Sequence, residues 1–539
     1  MLKCIRKACA VVFISSIVIS MFPAKGFADY PIFSQRYTAD PTAVEYKGRL
    51  YVYMSHDADA TANQSSYNIP DVTCISTDDL KNWTDHGEVF NAKNDSKWAN
   101  VSWAPSIVYR NNKFYLYYGN GGNGIGVAVS DSPTGPFKDP RSSALVTGST
   151  QGVQPATNMW LFDPGVFVDD DAQAYMYFGG NGESNIRVIK LGSDMISTVG
   201  SASTMTAPRF FEASWMHKYD GKYYFSYASD FSQGASKIEY MMSNSPTTGF
   251  TYKGVILPQP PDNYNNNNHA VTLKYKDNWY CIYHNRNLGK QRGVETNYQR
   301  NVAIDQMFHN ADGTIKQVIP TEDGLKQLKY VDPYVTNTAV NMCKESGTET
   351  EVCSEGGRSV SMIQNGDWIK IKGVDFGSSA ATSFDARVSS NTQGGSIEVR
   401  LDGITGKLIG TCNVTGTGGW QTWENKSCTV SETTGVHDVF LKFTGGSDYL
   451  LNLSSWKFNK KETAPTSTPT PTPTTRPTLS GDLNDDDAVN MSDVILLALS
   501  FNSVKGDSNY KAAYDLNSDG AINMQDVMII AANFNAVAK

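Results

Sequence analysis

The chain has 539 residues, 40% of them hydrophobic, enough for two to four domains with true cores. A net charge of −8 without any basic patch excludes a nucleic-acid partner. The aromatic share of 11%, with 28 Tyr and 10 Trp, fits either β-rich packing or the stacking of flat rings on sugars.

The first element in chain order is a signal peptide over residues 1–28. Lys3, Arg6 and Lys7 form its basic start, Ala8 to Phe22 its apolar run, and Gly26-Phe27-Ala28 its small-residue cleavage site. That run is short for a membrane span and ends at Pro23, and no other stretch could cross a bilayer. The expectation is a secreted protein with no membrane partner. Cys4 and Cys9 leave with the signal. Of the remaining six, Cys343, Cys353, Cys412 and Cys428 cluster in one region and could form one or two disulfides; Cys412 and Cys428, flanking a single loop, are the favoured pair.

Residues 29–330 contain an internal repeat. TAVEYKGRLYVYMS, SIVYRNNKFYLYYG, GVFVDDDAQAYMYFG, WMHKYDGKYYFSYA and AVTLKYKDNWYCIYH each read as a β-hairpin by period-two alternation around a polar turn. Their aromatic strands begin at Tyr51, Tyr115, Tyr175, Tyr223 and Tyr280, at intervals of 64, 60, 48 and 57 residues. Further strands follow the hairpins, as in GIGVAVSDSPTGPF and KIEYMMSNSPTTGF. Four short strands per unit, five times over, predict an all-β five-bladed propeller.

The same register carries the candidate chemistry. Eleven or twelve residues before four of those tyrosines stand Asp40, Asp163, Glu212 and His269; the second unit has Ala104 there, with Trp103 beside it. In a propeller the first strand of each blade lines the central channel, so these positions converge on one mouth. Glycoside hydrolysis needs one protonated carboxyl to donate to the leaving oxygen and one ionised carboxylate to activate water. A third carboxylate can hold the acid protonated, because neighbours resist joint ionisation. One Asp-Pro is more often a turn opener; three carboxyls at one register of a repeat point to function.

YTADP, LFDPGVFVDDD and RFFEASWMHKYDGKYYFSY resemble the signature blocks of glycoside hydrolase family 43 over roughly Asp29 to Leu328. STDDLKNWTDHG, WAPSIVYR, GVAVSDSPTGPF and NADGTI also match; Ser214 departs from the proline usual there. The resemblance implies a five-bladed propeller and an inverting mechanism, with Asp40 as general base, Asp163 as pKa modulator and orienter, and Glu212 as general acid. It implies that His269 sits at the channel centre near a calcium or water cluster, and that Trp103 and Arg286 line the sugar pocket.

From 334 to 460 the repeat is gone and short alternating strands continue (DWIKIKGVDF, SFDARVSS, GSIEVRLD, HDVFLKF), predicting a separate antiparallel β-sandwich. It resembles carbohydrate-binding module family 6, a jelly roll, through NGDWIKIKGVDFG, GTGGWQTW and LNLSSWKF. The implied ligand residues are Trp368, Trp423 and Asn452, with Trp420 competing for the place of Trp423. Residues 461–479, rich in Pro and Thr, read as an extended linker.

The segment 480–539 carries DLNDDDAVNMSD and DLNSDGAINMQD, two twelve-residue loops 33 residues apart. Their oxygens recur at positions 1, 3, 5, 9 and 12, the spacing that wraps a calcium ion. The ligands are Asp482, Asn484, Asp486, Asn490 and Asp493, then Asp515, Asn517, Asp519, Asn523 and Asp526. The duplicated loop and helix resemble a dockerin, a small α-helical module, which implies two calcium ions and a cohesin partner on a cellulosome scaffold.

Together these predict a secreted, cellulosomal hydrolase that removes α-L-arabinofuranosyl side chains from arabinoxylan. The alternatives are a β-xylosidase or an arabinan- or galactan-acting enzyme and, in another class, a non-catalytic glycan-binding propeller.

Overall fold

A computed structural model describes residues 30–263, 267–294, 297–322, 324–460 and 479–537. The signal-peptide expectation, and all of the linker but Leu479, lie outside them. The chain is mostly β, and among the described residues no helix is long and apolar enough to cross a membrane.

All five sequence hairpins are present, and each opens a sheet. The first sheet runs Tyr37–Tyr46, Arg49–Asp57, Val72–Thr77 and Trp83–Phe90; the second Trp103–Arg110, Lys113–Gly119 and Ile125–Ser130. The third runs Gly165–Val168, Ala174–Phe178, Ile186–Leu191 and Thr198–Met205; the fourth Phe210–Tyr219, Lys222–Ser229, Ile238–Ser243 and Thr251–Leu257; the fifth Ala270–Tyr275, Asn278–Asn285, Asn301–His309 and Ile315–Lys316. The expectation of four strands per unit fails in the second sheet, which has three. Beyond its last strand the chain makes isolated bridges, among them Val129–Lys138 and Ile125–Val146, in place of a fourth strand.

The first strand of each sheet packs against the first strand of the next, and the fifth returns to the first. The ring is also closed by hydrogen bonds: Thr38 N–H donates to Arg300 O (2.8 Å), and Ile304 N–H donates to the Tyr30 hydroxyl (2.8 Å). Packing along the ring is tight. A Cβ on Gly165 would sit 2.0 Å from Ser214 O, so the third and fourth inner strands can approach only because that position is glycine.

The later β region holds two facing sheets around one core. One orders Glu349–Val352, Arg358–Ser361, Asn452–Lys460, Ala381–Ser390 and Gly419–Thr433; the other Lys344–Ser346, Trp368–Asp375, Val436–Gly445, Gly395–Leu401 and Lys407–Val414. It is not separate from the ring. Asn341–Met342 adds a fifth strand to the first sheet, pairing with Trp83 and Thr84, and the described residues up to Lys460 form one compact unit. Between the two regions Arg36 grips Asp85 with two bonds of 2.8 Å, and the Thr350 hydroxyl donates to the same carboxylate at 2.5 Å. Burial alone would raise the Asp85 carboxyl, but the Arg36 guanidinium overrides it and holds it below its ordinary value.

The second compact unit begins among the described residues at Leu479. Helices Met491–Ala498 and Met524–Ala532 each open on a capping box, Asn490 with Asp493 and Asn523 with Asp526.

Candidate active site

Asp40, Ala104 and Asp163 each precede a proline, and each takes a left-handed backbone, with φ of +48°, +44° and +49°. Ala213, next to Glu212, has φ of +62°. Strand register breaks at the same level, between Ala39 and Thr42, Trp103 and Ser106, and Glu212 and Trp215. Such bulges re-aim a side chain out of its sheet. Here they accompany the arrival of Asp40, Asp163 and Glu212, with His269, at one cavity of about 450 Å³. Tyr67, Trp103, Phe162, Phe211 and Arg300 complete its walls, and Trp160 and Phe231, each more than 40% exposed, stand at its mouth.

Only one of the three carboxyls has a cation. Arg300 Nη1 donates to Asp40 Oδ1 at 2.6 Å, while its other nitrogens bind Asp57 at 2.7 and 2.9 Å. Burial would raise Asp40, but the Arg300 charge, together with His284 and His269, outweighs it and holds the carboxylate well below its ordinary range. Asp163 and Glu212 have no such partner. Burial, then the charge of Asp40, pushes Asp163 up to about 8; burial, then its carboxyl neighbours, pushes Glu212 well above its ordinary value. Asp163 Oδ2 accepts from Ala213 N–H at 3.0 Å, tying it to the backbone beside Glu212. Glu212 Oε1 and Trp103 Nε1 are buried without a protein partner.

His269 Nδ1 lies 3.6 Å from Asp40 and 3.9 Å from Asp163, and burial lowers it to about 4, so it is neutral. His284 Nδ1 accepts from Asp40 N–H at 3.3 Å. The channel-centre position expected for His269 is met, since it lies between Asp40 and Asp163 in the cavity. Among the described residues no group of three or more His, Cys, Asp or Glu is arranged for a metal.

Arg286 does not line the cavity. It is buried behind it, donating to Asn297 O at 2.7 Å, to Asn263 Oδ1 and to the Tyr67 hydroxyl at 3.4 Å. The cation at the site is Arg300, whose guanidinium lies 4.3 Å from the Tyr67 ring centre. Sequence reasoning missed Arg300 because it stands just before the third strand of its sheet, where the repeat register gives no signal. Trp160 and Phe211 did carry one, at three residues before Asp163 and immediately before Glu212.

In the sandwich, Asn452 Nδ2 donates to Glu351 Oε1 (2.7 Å) and Trp420 O (2.9 Å), and Gln421 Nε2 donates to the same Glu351 oxygen (2.8 Å). Trp423 joins this cluster through its indole N–H, 3.1 Å from Ser354 Oγ, but only 9% of it is exposed. Trp420 is the more exposed of the two rings. Trp368 stands on the other sheet against Phe440, outside the cluster.

The two acidic loops superimpose in their bonding. Asp482 accepts from Asp486 and Asp487 N–H, as Asp515 does from Asp519 and Gly520. Asp493 and Asp526, both fully buried, accept from Leu483 and Asn490 and from Leu516 and Asn523. Asn484 and Asn517 donate to Asp486 and Asp519 at 2.8 Å. Carboxylate and amide oxygens gathered twice in this way suit a hard divalent cation.

The model of glycosyl hydrolases family 43 matches residues 28–315, that of carbohydrate binding module (family 6) residues 338–460, and that of the dockerin type I domain residues 480–535. An arabinoxylan arabinofuranohydrolase of Paenibacillus polymyxa is 40% identical over 86% of this chain and 81% of its own. One from Bacillus subtilis is 42% identical over 80% and 92%. A crystal structure of a Bacillus subtilis family 43 arabinoxylan arabinofuranohydrolase in complex with cellotetraose superimposes with a TM-score of 0.76 at 40% identity, covering 80% of this chain and 98% of that one. An α-L-arabinofuranosidase structure from Clostridium thermocellum is 81% identical over 56% of this chain and 99% of its own, with a TM-score of 0.50.

Proposed function

The chain belongs to glycosyl hydrolases family 43, and on that premise we propose that it removes α-L-arabinofuranosyl side chains from arabinoxylan by single displacement with inversion. The observation that carries this is one pocket in which Arg300 pairs with Asp40, favouring its anion, while Glu212, buried without a cation, is pushed well above its ordinary value and toward its acid form. Asp40 takes a proton from water as that water attacks the anomeric carbon. Glu212 gives its proton to the glycosidic oxygen as the bond to the xylan hydroxyl breaks on the opposite face. Asp163 orients the Glu212 backbone through Ala213 N–H, and its own proton leaves no second anion to compete with Asp40.

The five sheets are the blades of a propeller over 29–330, followed by a jelly-roll module over 334–460, a linker over 461–479 and a dockerin over 480–539. Trp160 and Phe231, flanking the mouth, offer flat faces to backbone xylose units while the pocket takes the side-chain sugar. Removal of a branch is favoured over xylosidase action because both long relatives are named for arabinoxylan arabinofuranohydrolysis. In the sandwich, Asn452 and Trp420 are the better-placed sugar contacts. Two calcium ions, held by Asp482, Asn484, Asp486, Asn490 and Asp493 and by Asp515, Asn517, Asp519, Asn523 and Asp526, would cross-link the loops that start the two helices. The module would dock on a cohesin, placing the exported enzyme on a cellulosome.

Proton NMR of the sugar released from wheat arabinoxylan tests the reading. β-L-arabinofuranose should be the first anomer seen, and Glu212→Ala should release almost none. First appearance of the α-anomer removes the inverting step; free xylose moves the substrate to xylosides; no sugar from arabinoxylan, arabinan or galactan leaves a binding protein.

A further inference from the structure

Cys412 and Cys428 face each other across an open seam of the sandwich. Cys412 lies on Lys407–Val414, the edge strand of one sheet, and Cys428 on Gly419–Thr433, the edge strand of the other. Their ladder partners are Ile397 and Phe384, both core residues. Cys412 is buried, and Cys428 is half-buried against the same core. Both are free thiols in this structure, and each is the first influence on the other's ionisation. A Cβ built on Gly410, two residues before Cys412 on the same strand, would lie 3.5 Å from Cys428 Sγ. Because the strands belong to different sheets, side chains rather than a backbone ladder carry this seam.

We propose that Cys412 and Cys428 close into a disulfide that staples the two sheets together and braces the loop bearing Trp420. Two thiols yield one S–S bond, two protons and two electrons. The acceptor is a disulfide oxidant, either a small-molecule disulfide or a thiol oxidoreductase, which leaves as two thiols. The crosslink closes a loop of about 15 residues, the range in which chain-entropy models give a substantial stabilisation of a small domain. Trp420 lies inside that loop, and its carbonyl accepts from both Asn452 Nδ2 and Ser389 Oγ. Fixing the strand therefore pre-orders the cluster that would meet a sugar. Of the other described cysteines, Cys74 and Cys281 sit in two different clusters of the sheet ring, and Cys353 Sγ lies 3.8 Å from Ser454 Oγ.

Only the source of oxidant in the cell rests on the reading of export, so the test supplies its own. The full chain is incubated with oxidised glutathione, unfolded, alkylated without reduction and digested. One linked peptide pair holding Cys412 and Cys428 is expected, with Cys74 and Cys281 alkylated. Alkylation of both Cys412 and Cys428, or a link from either to Cys353, overturns the pairing. Reduced wild type and the Cys412→Ser/Cys428→Ser variant should each melt roughly 5–10 °C below the oxidised protein. They should bind xylo-oligosaccharide about threefold more weakly, with unchanged turnover of a small aryl arabinofuranoside. Equal melting and binding in the two redox states overturns the bracing role. A pair that forms in the tube from a chain retained inside the cell would fault export and leave the staple standing.

Discussion

Arg300→Gln tests the electrostatic assignment of the site. Arg300 is the cation that holds Asp40 ionised at 2.6 Å, and it also carries Asp57 at 2.7 Å, with all three groups buried. At an effective dielectric of about 20 and a charge separation near 4 Å, one such pair is worth about 4 kcal/mol. A free-energy change of that size displaces a titration by roughly 3 pH units. Asp40 would then be left with burial and the like charge of Asp57, which raise it, against only His284 and His269, which lower it. A depressed carboxylate keeps its anion down to low pH. In wild type, therefore, the acid limb of kcat/KM for an aryl arabinofuranoside should lie below the range in which Asp40 would ordinarily titrate. In Arg300→Gln that limb should move up toward neutrality, with at least a hundredfold loss of kcat/KM at the wild-type optimum. Removing one partner of a buried pair also costs about 3–5 kcal/mol of stability, so Arg300→Lys serves as the companion that keeps a cation. Its limb should move less and its fold should hold. A uniform fall in rate with the acid limb unmoved in both variants would refute the pairing of Arg300 with Asp40 as the proposed base.

Glu212→Gln should lower kcat on arabinoxylan about 10³-fold, yet lose far less on an aryl arabinofuranoside whose leaving group needs no proton; equal losses on both would deny Glu212 the acid role. Trp160→Ala should raise KM for the polymer about tenfold and leave the aryl substrate within twofold, because the ring stands at the mouth rather than at the reacting sugar. Chelation by EDTA should melt the helices Met491–Ala498 and Met524–Ala532, seen as lost helical circular dichroism in the isolated segment 479–539. Arabinose release by the whole chain should persist if the acidic loops alone hold calcium, and its loss would place an ion at the pocket.

The legible parts of this site were those tied to repetition. Asp40, Asp163, Glu212 and His269 could be paired in the sequence because each precedes an aromatic hairpin at one offset, and a ring of sheets turns equal offsets into equal positions. Arg300 has no equivalent in the other units. Its reach to Asp40 depends on closure of the ring, where Thr38 N–H meets Arg300 O. Arg286, only fourteen residues earlier, looked equally available, but the loop carbonyl of Asn297 and the side chain of Asn263 hold it behind the wall. The two sandwich tryptophans illustrate a different limit. Alternation along a regular strand would send Trp420 and Trp423 to opposite faces, but Val388 pairs with Glu424 and Ser390 with Gly419, so the strand slips between them. With the period broken there, only the fold shows that Trp423 turns inward to Ser354 while Trp420 stays open.

Ala104 separates what the architecture demands from what the chemistry adds. It holds the same left-handed φ as Asp40 and Asp163, before the same kind of proline, yet bears no carboxyl. Such a conformation costs of order 1–3 kcal/mol in a residue other than glycine. Were the strain imposed by the catalytic groups, Ala104 would have no reason to share it. The bend therefore belongs to the inner end of the strand, fixed by the proline and the register break, and the carboxyls occupy corners that the sheet ring already provides. At the corner without one, the adjacent Trp103 lines the cavity with an unpartnered indole N–H. It follows that replacing Asp40 or Asp163 by alanine should leave the ring folded while abolishing turnover, the Asp163 variant melting close to wild type and the Asp40 variant lower by the loss of its Arg300 pair. A variant that loses the fold together with the activity would mean that these carboxyls shape the corner themselves.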